Sequence, residues 1–215
     1  MLKLTTYFRS TAAYRVRIAL NLKGLEHELF AVHLLKEGGQ HKTKQYLNTN
    51  PDGLIPTLET DGQVLAQSMA IIEYLEETHA SPALLPCSPL DRAYVRGLAQ
   101  TICSDMHPLN NLRVLKYLTA EMGVSEEHKL QWYQHWVAVG FTGLETRLAN
   151  DLRSGLCCIG DKPSLADVCL VPQVYNAERF NCPMQDYPTI QRINEYCLSL
   201  EPFAQAAPHL QADAE

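Results

Sequence analysis

Thr6-Tyr7-Phe8-Arg9-Ser10-Thr11-Ala12-Ala13-Tyr14-Arg15-Val16-Arg17-Ile18-Ala19-Leu20-Asn21-Leu22 begins as the end of a strand and finishes as an amphipathic helix. The turn between them carries Arg9, Ser10 and Thr11. Small hydroxyl residues there can cap the helix by accepting hydrogen bonds from its free amides. They also leave donors and the positive helix end facing solvent, a setting that favours an anion. Capping alone is the plainer role for Ser10 and Thr11, and the remaining chain bears on the choice.

Upstream of this turn, Leu2 to Phe8 alternates and is β-rich, which predicts a strand. Downstream, Ala12 to Lys23 is a helix stopped by Gly24. Arg15 and Arg17 lie between its apolar positions and read as solvated or salt-bridged. Glu28 to His33 predicts a second strand, Leu35 to Gln40 a loop around Gly38-Gly39, and His41 to Leu47 a short helix. Asn50-Pro51-Asp52-Gly53 is a turn by its chemistry. Asp61-Gly62 between two apolar runs predicts a hairpin. Pro56, with no amide to give a ladder, belongs at a strand start or edge. Ser68 is a plausible cap for a helix from Met69 to Thr78. The order is β-α-β-α-β-β-α, followed by a proline-rich linker.

Beyond Leu90 the strand signal disappears. Leu90 to Leu118 is a long helical pattern with an irregularity at His107-Pro108. Ser125 to Leu152 is a second, with Ser125 as cap and Glu126 and Glu127 in its first turn. Ser164-Leu165-Ala166-Asp167 resembles a capping box before the apolar run Val168 to Val174, where Pro172 implies a bend. Tyr187-Pro188 opens a last helix to about Leu200, and Pro208 to Glu215 reads as a frayed tail. The predicted domains are 1–80, a linker at 81–89, and a helical domain at 90–215.

At 215 residues the chain can bury a sizeable core. Its net charge of −6 argues against a general nucleic-acid binder, though not against a small anion held by local arginines. No apolar run suits a membrane span, and no signal-peptide pattern precedes the first strand, so a cytoplasmic setting is expected. The seven cysteines are scattered without paired CxxC spacing, which predicts reduced thiols and no metal centre.

Taken together, these features resemble the cytosolic glutathione transferases, and in particular their zeta class. The resemblance covers essentially the whole chain. It rests on the domain order, on Ile55-Pro56, Gln67-Ser68, the Ser164–Asp167 box and the first-helix signature Arg15 to Leu20. Tyr7-Phe8-Arg9-Ser10, Gln67 to Glu77 and Asn176 to Phe180 also look zeta-like. The class includes maleylacetoacetate isomerase, and a close branch contains maleylpyruvate isomerase. The implied fold is α/β plus all-α, a thioredoxin-like domain followed by a helical bundle.

The resemblance implies glutathione as cofactor, a small diketo dicarboxylate as substrate, a homodimer, and cis–trans isomerisation without nucleic-acid or membrane partners. Conjugation or glutathione binding without turnover are the other activities open to such a fold. Ser10 and Thr11 are the implied thiolate anchors, with Arg9 beside them. Ile55 is implied to pair its backbone with the cysteinyl part of glutathione, and Gln67 and Ser68 to grip its γ-glutamyl end. Arg9, Arg179, Asn110 and Arg113 are implied substrate contacts; His107 reads as structural, with a general base as its other role. One departure matters. The class usually has Ser-Ser-Cys after the arginine, and here Ser10-Thr11-Ala12 offers no thiol. The maleylpyruvate branch also lacks that cysteine.

Overall fold

A computed structural model describes residues 1–215. Two compact units emerge, Met1–Ala83 with Leu200–Glu215, and Leu84–Ser199. In the first unit the chain runs β1 (Leu2–Thr6), α1 (Thr11–Leu22), β2 (His27–Ala31), α2 (Lys44–Thr49), β3 (Thr57–Thr60), β4 (Gln63–Ala66) and α3 (Ser68–Thr78). The sheet order is β2-β1-β3-β4. β1 pairs with β2 in parallel, Leu4 opposite Leu29, while the β1–β3 and β3–β4 ladders are antiparallel. Asp61 and Gly62, with φ of 48° and 74°, close the β3–β4 hairpin. Two positive φ values in succession are what a tight hairpin turn requires.

α1 ends in a Schellman motif. Leu25 N–H reaches Leu20 O at 3.0 Å, Gly24 N–H reaches Asn21 O at 3.0 Å, and Gly24 holds φ 62°. Lys23 at the same end has its Nζ 2.8 Å from Glu76 and donates to His79 O and Pro82 O. That ammonium is fully buried, and its three oxygen partners offset its desolvation.

Several local expectations shift. β1 stops at Thr6 because Tyr7–Ser10 form a turn closed by Ser10 N–H to Tyr7 O at 2.9 Å. Short 3-10 turns at Lys36–Gly38 and Gln40–Lys42 precede α2, which lies later than predicted. Arg15 and Arg17 are not solvated: each is 1% exposed. α1 packs between neighbours including α3, so positions between its apolar residues also face protein. Arg17 satisfies its guanidinium by donating to Thr6 Oγ1 at 2.9 Å, Phe8 O at 3.2 Å and Ala206 O at 3.1 Å.

The second unit is all-helical: α4 (Pro89–Gln100), α5 (Leu112–Ala120), α6 (Glu126–Asn150), α7 (Leu165–Arg179) and α8 (Pro188–Ser199). The long helix predicted from Leu90 to Leu118 is broken. α4 widens into a π-helical stretch, Thr101–Met106, and α5 restarts behind Asn111, whose side chain accepts from Arg113 N–H at 3.0 Å. Pro108, with no amide to donate, lies in the turns between them. Ser125 caps α6 by accepting from His128 N–H at 3.2 Å. The box at Ser164–Asp167 is present, and α7 continues through Pro172. No helix is long and apolar enough to cross a membrane.

Residues 200–215 belong to the first unit rather than to the helical one. They include α9 (Glu201–Gln205), which packs on α1, with Asn21 donating to Pro202 O at 3.0 Å. The tail is not frayed. Asp213 accepts from Phe8 N–H at 3.0 Å, Gln211 donates to Gln205 O and Ala207 O, and Glu215 pairs with Lys36. Lys36 in turn holds the Glu215 carboxyl below its usual range.

Candidate functional site

In the first unit the candidates converge on the N-terminal end of α1 and the start of α3. Ser10 is half-buried, and its Oγ accepts from Ala13 N–H at 3.2 Å. Capping uses only one lone pair, so the hydroxyl proton stays available to a ligand. Thr11 is 3% exposed, so the two hydroxyls of the turn differ sharply in access. Arg9 is half-buried, its guanidinium 4.8 Å from the Phe8 ring centroid, a cation–π contact that fixes the side chain beside the turn.

Ser68 is the first helical residue of α3, and the cap position falls to Gln67, whose side chain caps nothing. Gln67 is exposed and holds φ 70°, ψ 116°. Such a backbone is costly for a side chain with a Cβ and tends to persist where a site needs it. Ser68 Oγ lies 3.5 Å from Arg15 Nη1. The Nε and Nη2 of that same buried guanidinium have no partner. A buried guanidinium left so incomplete is expensive, and an anion is the group that completes it.

Arg15 escapes a sequence reading because an arginine between apolar helix positions ordinarily faces water. Its one sequence signal is its place at the head of the first-helix signature Arg15 to Leu20. Ile55 is buried, follows Leu54, and precedes a cis peptide to Pro56. The β1–β3 register ends at Thr5–Thr57, so the Ile55 backbone lies outside the ladder. Gln40 was also not predicted. Its Oε1 accepts from His33 N–H at 2.9 Å, and both residues line a recess with Lys36, Asp213 and Glu215.

The second unit holds the other candidates. Asn110 is buried and donates to Tyr133 O at 3.4 Å, while its Oδ1 is unpartnered. Tyr133 stacks on Phe180, centroids 3.8 Å apart, and the Arg179 guanidinium lies 4.8 Å from the Phe180 centroid. Arg179 itself is exposed, which leaves its fork open. The Tyr133 hydroxyl is buried without a partner, and burial raises its pKa, with the Arg179 charge acting against that rise. Arg113 is exposed in the first turn of α5 and is not part of this stack. His107 is half-buried in the turn before Pro108.

Residues 9–78 match the glutathione S-transferase N-terminal domain family. A protein from Vibrio cholerae named probable maleylacetoacetate isomerase is 53% identical over 209 residues, 97% of this chain and 96% of that protein. A bacterial zeta-class maleylpyruvate isomerase solved in its holo form superposes with a TM-score of 0.96 at 44% identity, covering 99% of this chain and 100% of that one. A maleylacetoacetate isomerase from Methylobacterium extorquens, solved with malonate and glutathione, gives 0.95 at 40% identity, covering 99% of each.

Proposed function

Because the chain belongs to the zeta-class glutathione S-transferases, we propose that it is a glutathione-dependent cis–trans isomerase converting maleylacetoacetate to fumarylacetoacetate. The observation that carries this reading is the Arg15–Ser68 pair: a buried guanidinium with two unpartnered nitrogens, 3.5 Å from a serine hydroxyl. That donor set fits the γ-glutamyl carboxylate of glutathione, and exposed Gln67 fits the amine and carboxylate around it. The Ile55 backbone, outside the ladder, suits pairing with the cysteinyl amide.

Bound glutathione supplies a thiol nucleophile for reversible addition to a conjugated double bond. Ser10, whose Oγ–H is not used in capping, would donate to the sulfur and, with the positive end of α1, would favour the thiolate. Thr11, the buried first residue of α1, adds the second hydroxyl of the turn. Arg9 places positive charge beside the turn, suited to the enolate oxygen that the reaction develops. In the helical unit Arg179 offers a planar fork to a substrate carboxylate, and Asn110 adds an amide near the Tyr133–Phe180 stack. Arg113 is an additional anion contact. The same reading takes the enzyme as a cytoplasmic homodimer.

A second reading, maleylpyruvate isomerase, is favoured by one observation: Ala12 stands where the class usually has cysteine. Both substrates, each with and without glutathione, are to be followed spectrophotometrically. Glutathione-dependent turnover of maleylacetoacetate with little of maleylpyruvate is expected. A preference for maleylpyruvate replaces the first reading by the second, and turnover of neither overturns both. Arg179→Ala is expected to raise KM for the dianionic substrate roughly ten- to a hundredfold, the worth of a lost charged hydrogen bond. An unchanged KM removes Arg179 from the substrate site.

A further inference from the structure

Two cysteines outside the proposed site bring their sulfurs into contact. Cys103, in the π-helical stretch Thr101–Met106, has its Sγ 3.5 Å from the Sγ of Cys169 on α7. They are 66 residues apart in sequence. Cys103 is partly exposed, whereas Cys169 is 0% exposed. The pair therefore combines a partly exposed cysteine with a buried one whose sulfur lies in van der Waals contact with it. A disulfide needs the sulfurs at about 2.05 Å, so about 1.5 Å of approach is required.

We propose that Cys103 and Cys169 form a reversible disulfide through exchange with a low-molecular-weight disulfide, for which glutathione disulfide is the probe. Cys103 sulfur, as thiolate, attacks one sulfur of glutathione disulfide. The S–S bond breaks, and one glutathione leaves and takes up the proton that Cys103 lost. Cys103 now carries a mixed disulfide. Cys169 sulfur attacks the Cys103 sulfur, and the second glutathione leaves with the Cys169 proton. Two protein thiols are oxidised and one small disulfide is reduced to two thiols, so atoms and electrons balance. The Cys103 position sets the order: the more exposed thiol attacks the small disulfide first and the buried one resolves the mixed disulfide.

No other cysteines offer this arrangement. Cys157 and Cys197 place their sulfurs within 4.8 Å of each other and of a carboxylate oxygen of Asp167, but both are 0% exposed. Cys158 beside them is 2% exposed, and burial pushes its thiol well above the usual range. All three are out of reach of solvent-borne reagents. Asp167 is already engaged by Ser164 and Cys158, which accounts for that cluster as the interior of a helix cap. Cys87 is exposed and Cys182 is buried, and neither faces a second sulfur.

The test equilibrates the full chain in mixtures of glutathione and glutathione disulfide of increasing oxidising ratio. Samples are acid-quenched and read by intact mass and non-reducing peptide mapping. The wild-type chain is expected to lose the mass of two hydrogens, with a single cross-linked peptide pair containing Cys103 and Cys169, restored by dithiothreitol. Cys169→Ser is expected to stop at the intermediate, gaining one glutathione on Cys103. Cys103→Ser is expected to leave Cys169 reduced. The oxidised wild-type chain should also melt at a higher temperature than the reduced one, a difference absent in Cys103→Ser. If Cys169→Ser fails a circular-dichroism check of folding, Cys169→Ala replaces it. Stable glutathionylation of wild-type Cys103 without a cross-link, a cross-link through another pair, or full reduction in the most oxidising mixture overturns the proposal.

Discussion

Replacing Ser10 with alanine is expected to lower turnover about a hundred- to a thousandfold while the chain remains folded, the loss typical of one preorganised donor at a developing charge. Two effects of the substitution must be separated. As the cap of α1, Ser10 accepts from Ala13 N–H, and losing that costs about 1 kcal/mol of stability. As a donor to the cofactor thiol, it stabilises the thiolate, and losing that raises the thiol pKa. The signature is therefore in the pH profile. With the donor removed, the fraction of thiolate at neutral pH falls, and activity recovers as pH rises. A cap-only role predicts a small loss of stability with an unmoved profile and undiminished turnover. Such a result excludes Ser10 as the thiolate anchor.

Asp167→Ala is expected to destabilise the chain by about 3–5 kcal/mol, measured as a lowered urea midpoint. The carboxylate is fully buried and accepts from Cys158 N–H at 2.8 Å, Ser164 N–H at 2.8 Å and Ser164 Oγ–H at 2.7 Å. Burial pushes its carboxyl above the usual range, and the donations from Cys158 and Ser164 work against that push. Alanine leaves two buried amides without acceptors, each costing about 1–3 kcal/mol, and removes the reciprocal cap of α7. Ser164→Ala is the milder control at about 1 kcal/mol, because the Asp167 acceptor for the Ser164 and Cys158 amides survives. Equal midpoints for the Asp167→Ala and wild-type chains contradict a structural role for the box.

The two experiments address different links of one argument. Ser10 tests chemistry on a turn whose shape is set locally. Asp167 tests the helix that carries Arg179 at its far end, so an active but less stable Asp167 variant and a stable but inactive Ser10 variant together separate scaffold from site.

Short-range chemistry is legible along the chain alone. The Asp61-Gly62 hairpin, the caps at Ser10 and Ser125, the stop at Gly24 and the box at Ser164–Asp167 each depend on residues a few positions apart. Their dihedral preferences and side-chain hydrogen bonds operate before any tertiary contact forms. Hydrophobic periodicity then ordered the elements, and with them the β-α-β-α-β-β-α unit and the helical one. The hydroxyl turn was legible for the same reason, whereas the Gln67-Ser68 pair rests on the family resemblance, and the cap of α3 falls at Gln67 rather than at Ser68.

Tertiary structure decided which groups meet water. An arginine in a helical pattern has no local property that says whether its outward face is solvent or protein. Arg17 is buried because carbonyls from Phe8 and from Ala206, 189 residues away, are there to receive it. Arg15 is buried beside Ser68, 53 residues on, with two nitrogens left for a ligand. The break at Thr101–Asn111, the positive φ of Gln67, the docking of Asp213 on Phe8 and the meeting of Cys103 with Cys169 are likewise long-range outcomes. Each depends on partners that the chain brings close only after its elements pack, and desolvation then sets the chemistry of the groups they enclose.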